Sequence, residues 1–195
     1  MNITRVTVWA VLYAALAVQT WRYIGETIYY GEYLHWTGVW ATRLLILTLA
    51  ITPLRLLWPL DPVLRFLMLH RRDLGVATFG YSAAHALAYL AREADFRIIV
   101  DEALGMDLMT GWIAGLIFLV LALTSNDVSV RTLGKRWKRL HTAVYAAAIL
   151  TLMHWVLTAF DPTAGYVHAG VLAALFGLRW WLLRKSRRRP TIPGR

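Results

Sequence analysis

The sequence predicts an all-α integral membrane protein, a bundle of six transmembrane helices with both termini in the cytoplasm. Of its 195 residues, 58% are hydrophobic and only 16% are charged, against about 25% charged in an average soluble domain. Six stretches approach the roughly 20 mostly apolar residues that a helix needs to cross a bilayer. Basic residues are concentrated in alternate loops, which sets the orientation.

The six predicted spans are apolar stretches separated by short polar loops, at about 6–24, 38–57, 74–91, 108–124, 140–160 and 166–184. Each should be a helix, because an open strand leaves its backbone groups unpaired in lipid. The first span lacks a small-residue cleavage site and is interpreted as retained. The whole chain, 1–195, is therefore interpreted as one transmembrane domain with a basic cytoplasmic tail over 185–195.

Charge in the loops predicts which side each loop faces. Loops 58–73 and 125–139 and the tail carry most of the basic residues, whereas loops 25–37 and 92–107 have an acidic balance. Positive charge marks the cytoplasmic side. The net charge of +10 therefore indicates membrane topology and anchoring to lipid headgroups rather than binding to nucleic acid.

Histidines inside the spans are the strongest functional signal, because an ionisable group in a bilayer is costly. His85 lies 12 residues into span three, about 18 Å deep, and His154 lies 15 residues into span five, about 22 Å deep, from the same side. Two imidazoles at one level favour the axial ligation of a single heme iron.

His141 lies near the cytoplasmic end of span five, where span three offers Arg71 and Arg72 instead of a histidine. It is a candidate ligand of a second heme beside Arg72, with contact to a flavin or quinone, or simple interfacial packing, as alternatives. On an ideal helix His141 and His154 point roughly 140° apart. The helix is therefore locally distorted, or the two residues serve different faces.

The sequence gives weaker support for a functional role of the other polar residues in or near the spans. Arg43 lies on the outer side of span two, where it either pairs with a heme carboxylate or extends to lipid phosphate. His35, at the outer mouth of that span, is a minor candidate for a quinone or partner role. His70 is expected to be solvated in a basic loop, and His168 to pack at the interface.

The rest of the sequence limits the redox chemistry. With no cysteine, the chain has no thiolate ligand for heme or an iron–sulfur cluster. No G-x-G-x-x-G or P-loop motif is present, so binding of NAD(P)H by this chain is not expected. Electrons would come from a membrane quinol or a separate flavoprotein, and two imidazole ligands favour electron transfer over oxygen chemistry.

The order and spacing of several motifs resemble the MsrQ family, heme-binding membrane subunits in the ferric reductase-like transmembrane group. The resemblance covers about residues 35–160, and its most specific part is the stretch from Leu133 to His141. The matching pieces are His35-Trp-Thr-Gly38, Leu49-Ala-Ile-Thr-Pro-Leu54, Arg71-Arg72-Asp-Leu-Gly75, His85, Thr124-Ser125, Leu133-Gly-Lys-Arg-Trp-Lys-Arg-Leu-His141, Tyr145 and His154.

The resemblance implies b-type heme held by His85 and His154, with His141 as a third histidine of the family. It leaves open whether the chain binds one heme or two. It also implies a bacterial inner-membrane location and electrons drawn from the quinol pool. FMN and a cytosolic flavin reductase are left open as further participants. The expected partner is a periplasmic, molybdopterin-containing subunit that reduces methionine sulfoxide in proteins.

Two other classes of function remain open. One is a transmembrane ferric or quinone reductase that acts alone. The other is a six-helix transporter or assembly factor without heme, whose histidines pack or carry protons. A transporter of this size more often shows two similar halves, and the sequence shows none.

Overall fold

The computed structural model describes residues 3–93 and 95–187, and within these ranges it contains helices and no strand. Within the described ranges, ten α-helices follow one another in chain order. They are α1 (Ile3–Ile24), α2 (Tyr30–Leu57), α3 (Pro62–Leu69), α4 (Arg71–Arg92), α5 (Phe96–Ala103), α6 (Met106–Leu123), α7 (Asp127–Leu133), α8 (Lys135–Leu140), α9 (Val144–Thr158) and α10 (Thr163–Arg187).

Five helical segments in the described ranges are long and apolar enough to cross a membrane. They are α1, α2, α6, the α8–α9 segment (Lys135–Thr158) and α10. The predicted third span, α4, is long enough at 22 residues, about 33 Å. It is less apolar than the five, because its interior contains Thr78, Ser82 and His85 as well as several glycines and tyrosines.

Two helix pairs form the centre of the bundle: α2 packs mainly on α4, and α6 on α9. Small side chains allow α9 to approach its neighbours closely, since Ala147 and Ala148 are almost completely buried. They lie in an apolar core with Leu49, Phe118 and Leu172. Close packing through small residues is how membrane helices associate where apolar burial gives no advantage over lipid.

Several helices extend beyond the predicted spans, and the predicted loops contain short helices. Helix α2 begins at Tyr30, eight residues before the predicted start of span two. Loops 58–73, 92–107 and 125–139 contain the short helices α3, α5, α7 and α8. Side chains of Asp61, Asp95 and Asn126 cap α3, α5 and α7, and such caps stabilise helices too short to show an apolar period.

One buried carboxylate, that of Asp73 on α4, makes several of the polar contacts between the N-terminal helix and the bundle. Arg5 donates to this carboxylate from Nε and Nη2 at 3.0 and 2.8 Å, and Trp9 donates at 3.1 Å. His70 Nδ1 lies 3.0 Å from its other oxygen. The prediction that His70 is solvated was therefore wrong, because its side chain is only 12% exposed.

The C-terminal end of the chain is only partly described. The predicted tail, 185–195, begins inside α10, which continues to Arg187. Residues 188–195 lie outside the described residues.

Candidate heme-binding site

Helices α4 and α9 bring the rings of His85 and His154 close together in an edge-on arrangement. Their ring centroids are 6.1 Å apart, and the ring planes are nearly perpendicular, at 87°. This proximity is compatible with the similar depth that the sequence predicts for the two residues.

Each of these rings is held by a backbone carbonyl of a neighbouring helix. His85 Nδ1 lies 2.9 Å from the oxygen of Leu34 on α2, and His154 Nδ1 lies 2.8 Å from the oxygen of Asp107 on α6. A carbonyl oxygen only accepts, so each Nδ1 carries the proton and donates. In the neutral imidazole this leaves Nε2 with a free lone pair, the form that binds a metal.

Two glycines permit these ring positions. A Cβ on Gly38 of α2 would lie 3.2 Å from the ring of His85, and one on Gly111 of α6 would lie 2.8 Å from Nδ1 of His154. Real Cβ atoms are not found as close as the second distance, so any side chain at 111 would displace the ring or the helix. Both histidines therefore depend on a glycine opposite.

A cavity of about 820 Å³ contains the two histidines and is walled by α2, α4, α6 and α9. Its walls are mainly apolar or small side chains, such as Phe79, Ala83, Ala86, Ala114, Phe118 and Leu119. Gly115 also lines it, and a Cβ built there meets no atom within 4 Å. The cavity thus has room beside the rings for a large flat ligand.

These residues fit a heme. A metal ion bound by two imidazole nitrogens at about 2.0 Å each requires ring centres roughly 6.3 Å apart, and the observed separation is 6.1 Å. Small and apolar walls suit the porphyrin faces. Both rings are already in the tautomer that is protonated at Nδ1, which leaves Nε2 free for ligation.

His141 has a different environment. A short 3-10 turn, His141–Ala143, separates α8 from α9. The helix that carries His141 and His154 is therefore locally distorted, which is one of the two alternatives that the sequence left open. The His141 ring stacks on Trp137 at 3.9 Å between centroids, and its Nε2 lies 3.1 Å from the hydroxyl of Thr124. That hydroxyl is also 2.8 Å from the oxygen of Val120.

The two predicted arginines lie away from the histidine pair. Arg72 forms an ion pair of 2.8 Å with Asp127 of α7. The hydrogen bond from Arg72 holds the pKa of Asp127 below the ordinary value, and the positive charge of Arg72 lowers it further. Arg43 is exposed and lies over the Trp40 ring, 5.4 Å from its centroid. The assignment of Arg43 to a heme carboxylate therefore gains no support from its position.

Sequence reasoning missed several contributors to the site. The carbonyls of Leu34 and Asp107 act through the backbone, so no side chain signals them. Gly111 was not singled out, although a glycine inside a predicted span is a visible signal. His35 was given only a minor role, yet it lines the cavity. The rings of His35 and His168 lie 6.4 and 4.8 Å from that of Trp155.

The fold is that of a helical membrane protein with two histidines brought together inside the bundle. The family model "Ferric reductase like transmembrane component" matches residues 37–152. The relatives described next identify the family more narrowly than this model does. The chain belongs to the MsrQ family within this transmembrane group.

Two relatives illustrate the similarity, and both are named protein-methionine-sulfoxide reductase heme-binding subunit MsrQ. The protein of Xanthomonas euvesicatoria pv. vesicatoria is 40% identical over 162 residues, which cover 81% of this chain and 72% of the relative. The protein of Brucella anthropi is 36% identical over 158 residues, which cover 79% and 69%. No solved structure matches the chain.

Proposed function

We propose that the protein is a transmembrane electron-transfer subunit that binds heme b between His85 and His154. It would take electrons from membrane quinol and pass them to an outer reductase that repairs methionine sulfoxide in proteins. The observation that carries the proposal is the opposition of two imidazoles, 6.1 Å apart, each with Nε2 free. The names of the relatives support both the heme and the methionine sulfoxide parts.

The side chains have defined roles in this proposal. His85 and His154 would hold the heme iron, and two imidazole ligands favour electron transfer over binding of oxygen. The carbonyls of Leu34 and Asp107 fix the two ring orientations and make the free nitrogens better donors. When bound there, heme b supplies one-electron chemistry through ferric and ferrous iron. The apolar walls would keep water from the iron.

We also propose that α4 crosses the membrane, which gives six spans with both termini in the cytoplasm. Helices α3, α7 and α8 lie on the side with the basic loops, and the acidic segment around α5 lies on the other. His154 is bonded to Asp107, in the first turn of α6 directly after α5. The histidine pair would thus lie near the outer surface of a bacterial inner membrane.

Several further parts of the proposal have the family resemblance as their main support. They are the molybdopterin cofactor of the partner, FMN, a cytosolic flavin reductase and a second heme at His141 beside Arg72. Arg71 and Arg72 are charged neighbours of His141, which is compatible with an anionic group there. The acidic segment around α5 is the proposed docking surface for the outer partner.

Anaerobic reduction in liposomes tests the electron-transfer proposal. Addition of a reduced quinone to the reconstituted protein should produce the sharp absorbance bands of ferrous heme b, and the methionine sulfoxide reductase partner should reoxidise it. Bands that appear with dithionite but not with any quinol would refute the quinol step. Reoxidation by ferric chelates alone, at the rate seen with the partner, would favour a reductase that acts by itself.

A further inference from the structure

The titratable groups that line the cavity are unevenly distributed. Besides His85 and His154, the lining residues of the described chain include two with titratable side chains, His35 and Tyr89. His35 lies in the second turn of α2, whose N-terminal end faces outward in the proposed topology. Tyr89 lies in the last turn of α4, at the same end. Its hydroxyl donates to Glu102 at 2.6 Å, so its one proton is already used.

The opposite end of the cavity has no comparable donor among the described residues. It is lined by Phe79 and Phe118 and by the hydroxyls of three residues. Each hydroxyl donates to a carbonyl of its own helix at 2.8 to 3.0 Å; they belong to Thr42, Ser82 and Thr151. A carboxylate placed there would lose its hydration without a donor to replace it, which is costly.

His35 is well placed to bind a charged group beside the porphyrin. It follows Leu34, whose carbonyl holds His85, and its ring lies edge-on to Trp155, the neighbour of His154. It is exposed at the cavity margin, so a carboxylate bound there keeps contact with solvent. Arg43, the sequence-based candidate, is eight residues or about 12 Å deeper along α2 and lies over Trp40.

We propose that His35 binds a heme carboxylate, so that the carboxylate edge of the porphyrin faces the outer end of the cavity. This inference rests on the proposed heme at His85 and His154. An imidazole N–H donates to a carboxylate, and a protonated ring adds an ion pair. The carboxylate edge would then lie on the side where an outer partner collects electrons.

Heme affinity measured with two porphyrins tests this directly. The whole chain, produced under heme limitation and purified in detergent, is titrated with ferric protoporphyrin IX and with its dimethyl ester, which has no carboxylate. The variants are His35→Ala and His35→Gln, with His168→Ala as the matched control. His168 packs against the same Trp155 ring from α10, and its Nδ1 lies 2.7 Å from a carbonyl of its own helix.

The expected pattern separates a carboxylate contact from a structural effect. His35→Ala should bind protoporphyrin IX about tenfold more weakly than wild type and the ester equally well. His35→Gln, which keeps an N–H donor, should regain part of the loss, and His168→Ala should match wild type with both porphyrins. Equal weakening of both porphyrins in His35→Ala, or no weakening of either, overturns the proposal. A wild-type protein that binds neither porphyrin refutes the heme site itself.

Discussion

The outer histidine pair and the inner histidine, His141, use the same side chain in opposite ways. In the outer pair, Nδ1 donates to a carbonyl, which leaves the lone pair on Nε2, and the two ring centroids lie 6.1 Å apart beside a cavity. In the inner site, Nε2 faces the Thr124 hydroxyl, whose proton we assign to the Val120 carbonyl. His141 must then donate from Nε2, so its free lone pair is on Nδ1.

This difference teaches how to separate a ligand from a packed histidine. All three residues lie inside or beside an apolar span, so burial does not distinguish them. The bond made by the other nitrogen does, because it fixes which lone pair is available. By this criterion the outer pair is ready to bind a metal through Nε2, whereas His141 would have to break its bond to Thr124 before it could bind one through Nε2.

Removal of either outer imidazole should have the largest effect. We expect His85→Ala and His154→Ala to lose the low-spin heme b spectrum, because one remaining imidazole cannot complete six-coordinate ligation. Absorption spectra and pyridine hemochrome counts of the purified variants measure this. His168→Ala is the control and should keep its heme. A wild-type spectrum in either outer variant would contradict the assignment of ligands.

A methyl group at Gly111 should weaken heme binding by about tenfold, comparable to the loss of one hydrogen bond. Its Cβ would lie 2.8 Å from His154 Nδ1, so the bond to Asp107 cannot persist. Helix propensity alone would favour alanine over glycine by about 1 kcal/mol. A loss of heme affinity in Gly111→Ala would therefore come from the clash with His154 and not from a weaker helix.

Gly170→Ala is the matched control for Gly111→Ala. Gly170 lies inside α10, outside the lining of the cavity, and its Cβ meets no atom within 4 Å. Heme titration of both variants should show a loss only at 111. Equal affinities in the two variants would mean that the ring of His154 is not held as described.

A methyl group at Gly38 should have a smaller effect, about two- to threefold in heme affinity, below the value of one hydrogen bond. The contact with the His85 ring would be 3.2 Å, which a small shift of the ring relieves. Gly31→Ala, on the same helix and with open space around its Cβ, is the control. A larger loss of heme affinity in Gly38→Ala than in Gly111→Ala would contradict this prediction.

Removal of His141 should leave the outer site unchanged, which sharpens the comparison. His141→Ala keeps His85, His154 and both of their carbonyl partners, so the low-spin bands of the outer heme should persist. The hemochrome count of wild type and variant measures occupancy of the inner site. A fall by half would assign a second heme to His141, and loss of all heme would contradict the independence of the two regions.

The sequence alone located the histidine pair but not its supports. Depth along each helix was enough to match His85 with His154, because a helix rises by a constant amount per residue. The perpendicular rings and the carbonyl partners could not be predicted, since they depend on which helices pack together. Gly111 acquires its meaning only once α6 is placed against α9.

The long helices were also easier to predict than the short ones. Apolar stretches of about 20 residues identify spans, whereas α3, α5 and α7 have only seven or eight residues each. The angular offset between His141 and His154 showed that some adjustment was needed. Its form, a 3-10 turn at residues 141–143, follows from packing that the sequence does not display.

Low-temperature electron paramagnetic resonance of the oxidised, detergent-purified protein tests the central claim most directly. Two imidazoles bound to one ferric iron give a low-spin signal, and the angle of 87° between the His85 and His154 rings predicts the strongly anisotropic form typical of perpendicular ligand planes. A high-spin signal as the main species, or a colourless protein that takes up no added heme, would contradict axial ligation by this pair.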